Sequence, residues 1–268
     1  MKKKMMIYAV VLTALGFTTY GFSNWMDTSK TQTKEELKCK PIADSEEIRR
    51  DLPKTAFAYK IHPRFDTGIT KEQIQKAKTI LDILPINATA DYLDFHTTIA
   101  ATVNEQDGSS ILLEKGNDHY LTEEQLHLLK SMEYSTNFKI STYCQTKNPV
   151  YGDAANEFIV YYMTVLPEKQ TEYKDGMENL IYYLKKESQK EVAQINMNSV
   201  TPGKIQFTVT KDGTIESVIL SSSCGHTNID SKMLQLIKEI PGEWQAATDT
   251  KGYKVDQILF FSFGLEGC

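Results

Sequence analysis

The tripeptide Lys211-Asp212-Gly213 constrains this chain more than any other short run, because it separates two strand-like segments with a turn that few residue types accept. Upstream, Ile205, Phe207 and Val209 alternate with Gln206, Thr208 and Thr210, the two-residue period of a strand with one buried face. Asp212-Gly213 supplies the positive-φ positions of a tight hairpin, and Ile215, Val218, Ile219 and Leu220 continue the apolar pattern beyond it. Helical spacing flanks the hairpin on both sides: Tyr173, Met177, Leu180, Ile181 and Leu184 before it, Ile229, Met233, Leu236, Ile237 and Ile240 after it. Asn228 or Asp230 is placed to cap the second helix, and Pro241-Gly242 to end it. The run from Val255 to Phe263 is apolar at nearly every position, as in a strand covered on more than one side.

Connection rules then predict an order for these three strands. A full helix follows the second strand, so the third should run parallel to it through a right-handed crossover, with the first strand between them. The expected sheet is three-stranded, ordered second, first, third. Such a sheet ends its second and third strands on one side and brings Cys224 near Cys268, within reach of a disulfide. Cys39 and Cys144 remain as a second pair or as free thiols, and two buried thiols at Cys224 and Cys268 are the other outcome.

The segments Gly203 to Gly213, Ile215 to Ser221, Ile229-Asp230, Ile240-Pro241-Gly242-Glu243-Trp244 and Lys251-Gly252 onward resemble the TonB C-terminal domain family. The likeness covers residues 167–268, about a third of the chain. It departs from the family pattern in lacking a Tyr-Pro after the first helix and in carrying Ala246-Ala247 where a proline is usual. The resemblance implies protein binding rather than chemistry: an extended peptide from an outer-membrane transporter, or from an envelope assembly partner, adds to the edge of the last strand. In this chain that edge is Tyr253, Val255, Gln257, Leu259, Phe261 and Phe263. Strand addition draws affinity from backbone groups and selectivity from alternate side chains.

Residues 1–23 read as a signal peptide or a membrane anchor, since Lys2, Lys3 and Lys4 precede an apolar stretch from Met5 to about Phe17. Gly21-Phe22-Ser23 fits a cleavage site, whereas Trp25 fits an interfacial anchor if the segment is retained. Either way the remainder is expected to face the periplasm of a bacterial cell envelope. The segment Met5 to Ser23 has no histidine and no ionisable group besides tyrosine, and no proline-rich spacer follows it, which argues against the force transmission associated with TonB. Acidic residues number 35 against 30 lysines and arginines, a formal net charge of −5 with no basic stripe, so a nucleic-acid partner is not expected.

Residues 24–51 read as a linker and 52–166 as a small α+β domain. Thr70-Lys71-Glu72-Gln73 is a capping box that opens a helix with Ile74, Ala77, Leu81 and Leu84 inward and Pro85 at its end. Thr122-Glu123-Glu124-Gln125 repeats the device, with Leu121 and Leu126 placed as a hydrophobic staple. Strands are predicted at Thr97 to Val103, Phe138 to Tyr143 and Phe158 to Val165, the last two joined as a hairpin through Lys147 to Asp153.

Catalytic patterns are not legible. Cys224-Gly225-His226 puts only two candidate ligands in one turn, and His62, His96, His119 and His127 match no zinc spacing, so neither a metal nor another cofactor is expected. Trp244 reads as a residue packed beneath the tail sheet. Two functional readings remain: a TonB-like binding module that recruits a partner strand at its last strand, and a non-transducing structural component of the periplasm or a secreted protein. The exposure of the Tyr253 to Phe263 edge separates them.

Overall fold

The computed structural model describes residues 56–85, 92–104, 108–147 and 154–265. The N-terminal segment, the linker, Cys39 and Cys268 lie outside them. The chain divides into a unit Met1–Pro53 and a compact unit Lys54–Cys268, and all that follows concerns the second. It is mixed α+β, built mostly of sheet, with two hydrophobic cores.

The first core lies under a five-stranded sheet. Its strands are β2 (Gly68–Thr70), β3 (Tyr92–Val103), β4 (Ser110–Gly116), β5 (Asn137–Lys147) and β6 (Ala154–Leu166), in the order β2-β6-β5-β3-β4. The long strands β3, β5 and β6 pair antiparallel, whereas β2 joins β6 in parallel. Ala100, Phe138, Ile140, Cys144, Met163 and Val165 turn from this sheet toward helix α1 (Lys71–Lys76) and helix α2 (Glu123–Ser131). Both helices begin with reciprocal capping boxes, at Thr70 with Gln73 and at Thr122 with Gln125.

Helix α1 is shorter than its sequence pattern predicts. Ala77 is already extended, with ψ of 139°, and the next apolar residues sit on a 3₁₀ turn at Ile80–Asp82. The cause is a tertiary pairing. Thr79 bridges Tyr120, the Ile80 N–H donates to the His119 carbonyl and the Leu121 N–H donates to the Lys78 carbonyl, so the chain gives up helical bonds for bonds to the loop before α2. Ile74, Ala77, Ile80, Ile83 and Leu84 still reach the core, and Leu81 packs at its rim.

The second core lies under a four-stranded sheet formed by β1 (Ala58–His62), β8 (Pro202–Val209), β9 (Ile215–Ser222) and β13 (Gln257–Gly264), in the order β1-β13-β8-β9. The tail therefore holds four strands where the sequence predicts three, and the fourth comes from the segment assigned to the preceding domain. Helices α3 (Met177–Val192) and α4 (Thr227–Lys238) cover one face, burying Leu180, Leu184, Ile229, Met233 and Ile237 against Ile205, Phe207, Phe261 and Phe263. Gly213 takes a φ of +81° in the hairpin turn, a region that favours glycine.

Two local details differ from the sequence reading. Tyr173 belongs to β7 (Glu172–Tyr173) rather than to α3, pairing with β10 (Trp244–Gln245), and its ring meets the Trp244 indole edge-on at 5.4 Å. Neither Asn228 nor Asp230 caps α4, whose N-cap is His226 without a side-chain bond. The Asp230 carboxylate instead turns back, accepting from the Cys224 N–H at 2.9 Å and from the Ser223 hydroxyl, which fixes the loop between β9 and α4.

Close packing where β8, β13 and this loop meet gives a direct test. A Cβ on Gly203 would lie 2.6 Å from the Phe263 ring and 2.9 Å from the Cys224 Cβ. Gly203→Ala is expected to lower stability by about 1–3 kcal/mol, as overpacking does, read as a lower urea midpoint with an unchanged slope.

Candidate functional site

The last strand is paired on both sides. Along β13, residues Gln257 to Gly264 pair with β8, and Phe260 to Gly264 pair on the opposite edge with β1 in the register Ala58 to Gly264 through His62 to Phe260. Just upstream of β1's reach, the Ile258 N–H donates to the Ser135 hydroxyl at 2.9 Å, a contact from the five-stranded body. Within the chain, β1 thus takes the Phe260 to Gly264 part of the edge that the sequence reading offered to a partner, and Ser135 takes one amide before it.

The six residues singled out there are dispersed. Tyr253 is exposed and precedes the short strand β12 (Lys254–Val255), in which Val255 pairs with Ala247 of β11 (Ala247–Thr248). Gln257 is 1 % exposed; its Oε1 accepts from the Thr171 N–H at 2.8 Å and its Nε2 donates to Gln170 at 3.2 Å. Leu259, Phe261 and Phe263 lie inside the second core. Four of the six side chains are thus already packed or hydrogen-bonded within the chain. The physical reason is completeness: buried backbone donors and acceptors are nearly always paired, and β1 and Ser135 supply the partners here.

Other sheet margins are open. Among the described residues, β9 has β8 as its sole strand neighbour and β4 has β3 as its sole one. Strand β9 shows Ile219 at 56 % exposure, and β4 shows Ile111, Leu112 and Leu113. The β9 edge is irregular, with register shifts against β8 and a positive φ of 54° at Ser217, a feature that blunts indiscriminate pairing.

Cys224 is a buried free thiol. Burial, with the nearby Asp230 carboxylate, pushes its pKa up to about 11. Gly264 sits beside it, a Cβ there falling 3.5 Å from the Cys224 Cβ, while the predicted partner Cys268 lies outside the described residues. His226 turns away from the thiol to Ser199, its Nε2 lying 3.0 Å from that hydroxyl. No group of three or more His, Cys, Asp or Glu side chains positioned to hold a metal ion occurs among the described residues. Trp244 is 5 % exposed, packed between Tyr173 and Phe207. Among the described residues no helix is long and apolar enough to cross a membrane.

One feature of the outer face escaped the sequence reading. Lys60 of β1, Ser262 of β13 and Lys204 of β8 stand opposite one another, and His62 closes on Ser262 with Nε2 2.8 Å from Oγ. Basic residues on two strands far apart in sequence, with a serine on a third between them, give no local signal.

No family model, curated protein or solved structure matches the chain.

The Cys224 environment predicts low reactivity. At pH 8 a thiol with a pKa near 11 is almost wholly protonated, and the thiolate is the reacting form. Iodoacetamide should leave Cys224 unmodified in the folded protein and label it after unfolding in guanidinium, as read by peptide mass spectrometry.

Proposed function

We propose that this chain is a non-enzymatic, non-transducing structural component of the bacterial cell envelope, with a tail of the TonB C-terminal type locked onto the body that precedes it. One observation carries this reading: β1 occupies the margin of β13 where a partner strand would add. A transporter peptide would have to displace five residues of strand already in register and the Ser135 contact beyond them. An intramolecular strand competes at an effective concentration that a separate peptide does not match. The lysine-flanked apolar N-terminus supports an exported protein, cleaved or anchored at the inner membrane.

A second reading keeps the recruiting role and moves its place. The outer edge of β9 has no strand against it among the described residues, so a peptide from an outer-membrane transporter or an assembly partner has a margin there that requires no displacement.

Hydrogen exchange distinguishes the locked arrangement from an exchangeable one. Amides of Tyr59 to His62 that face β13 should exchange as slowly as those of β8, and a synthetic peptide of residues 56–63 should not bind the folded protein. Ile61→Pro should destabilise the protein, read as a lower urea midpoint. Fast exchange confined to β1, together with saturable capture of the peptide, would replace the scaffold reading with strand exchange at β13.

A further inference from the structure

The outer face of the four-stranded sheet carries a basic row in an acidic protein. Residues directly opposite on neighbouring strands share a face, so Lys60, Ser262, Lys204 and Ser222 line up across β1, β13, β8 and β9. At strand spacing, the backbones of Lys60 and Lys204 are roughly 9.5 Å apart with Ser262 between them. One turn of chain beyond β1, Arg64 lays its guanidinium 5.2 Å from the Phe260 ring centroid. Two grooves, of about 330 and 590 Å³, open on this face and share Pro202 and Lys204 in their walls. Besides Lys204, Lys60 lines the first groove and Arg64 the second.

The charges here are only partly answered. Asp66 pairs with Lys60 at 2.8 Å and lies 3.7 Å from His62, and it is exposed. Lys204, half-buried, has no ion pair or side-chain hydrogen bond among the described residues. Burial and the charge of Arg64 both press its ammonium toward the neutral form. Among the described residues no carboxylate pairs with it to offset that pressure.

His62 stands behind the serine. Its Nδ1 sits against the Pro63 carbonyl, which can only accept, so Nδ1 carries the proton and Nε2 of the neutral ring accepts from the Ser262 hydroxyl. Burial lowers the His62 pKa, with Lys60 and Lys204 adding to that direction while Pro63 and Asp66 oppose it. An anion placed between the lysines reverses this balance. Protonated His62 then donates from Nε2 to Ser262, and the serine hydroxyl turns outward as a donor to the ligand. Lys60, Lys204 and Ser262 then converge on one oxyanion.

We propose that the row Lys60, Ser262 and Lys204, with His62 behind the serine, binds a phosphate group. Phosphate fits because several donors converge from one side on a group that offers multiple oxygens. The walls Pro202, Ile219 and Phe260 leave apolar room for what the phosphate is attached to. A soluble phosphomonoester and a phospholipid headgroup present the same chemistry. This site rests on the same β1–β13 pairing but not on the structural role proposed above.

Titration of the full chain with inorganic phosphate and with glycerol phosphate at low salt, followed by calorimetry, tests it. Vesicles of phosphatidylcholine with and without phosphatidic acid form the second arm. Saturable binding in either arm is expected, with solution binding alone assigning a soluble ligand and vesicle binding a headgroup. Lys204→Gln should weaken it about tenfold, the loss of one charge-assisted hydrogen bond, while leaving the thermal midpoint unchanged or raised. Lys71→Gln should leave binding unchanged. The NMR titration of the His62 ring should move to higher pH with phosphate and stay put with chloride at equal ionic strength. No saturable binding in either arm, or binding indifferent to Lys204→Gln, would overturn the proposal.

Discussion

The antiparallel pairing of β1 with β13 is the constraint on which the rest of this structure depends. A sheet margin is a row of backbone donors and acceptors, and a margin against a hydrophobic core must be paired or wetted. Here five residues from upstream of one body complete the sheet of the other. The consequence extends past hydrogen bonding. Tyr59 and Ile61 join the second core, and the Tyr59 hydroxyl meets Ser188 of α3 at 2.8 Å, so the added strand is tied to a helix as well as to the sheet.

That one pairing unites two hydrophobic cores that otherwise have separate walls. The chain leaves β1 through Pro63 to Thr67 and enters the five-stranded sheet at β2, a path too short for the bodies to part while both strands hold. Arg64 over Phe260 and Ser135 on the Ile258 N–H reinforce the same seam from the two sides. The pairing also explains how basic residues of β1 and β8 come to share one face with a serine of β13, since neither strand alone presents more than a single lysine there.

The candidate surfaces were unequally legible. Gln257, Leu259, Phe261 and Phe263 were read correctly as strand residues, and their dense hydrophobicity announced burial; what it did not announce was that the second flank came from the same molecule. Asp230 looked like a cap because aspartate at a helix start usually is one, yet the Cys224 N–H and Ser223 hydroxyl offered its carboxylate a better-placed pair of donors. The α1 pattern failed for a related reason: Lys78 to Ile80 found backbone partners in the loop before α2, and that tertiary pairing outweighed helical spacing.

By itself the sequence determined what short-range physics can determine. The hairpin around Gly213, the apolar stripes Met177 to Leu184 and Ile229 to Ile237, and both capping boxes depend on residues within a few positions of one another, and they stand where the patterns put them; Tyr173 and Ile240 fall outside their helices, and Asp212 does not take the positive φ expected of it. Only the tertiary structure decided which strand completes the tail sheet. Ala58 to His62 is a short, mixed segment with no strong period, and its partners lie about two hundred positions downstream, as the contact of His62 with Ser262 records. Pairing over that distance is selected by the fit of Tyr59 and Ile61 into a core already assembled from other elements, and no local pattern encodes it.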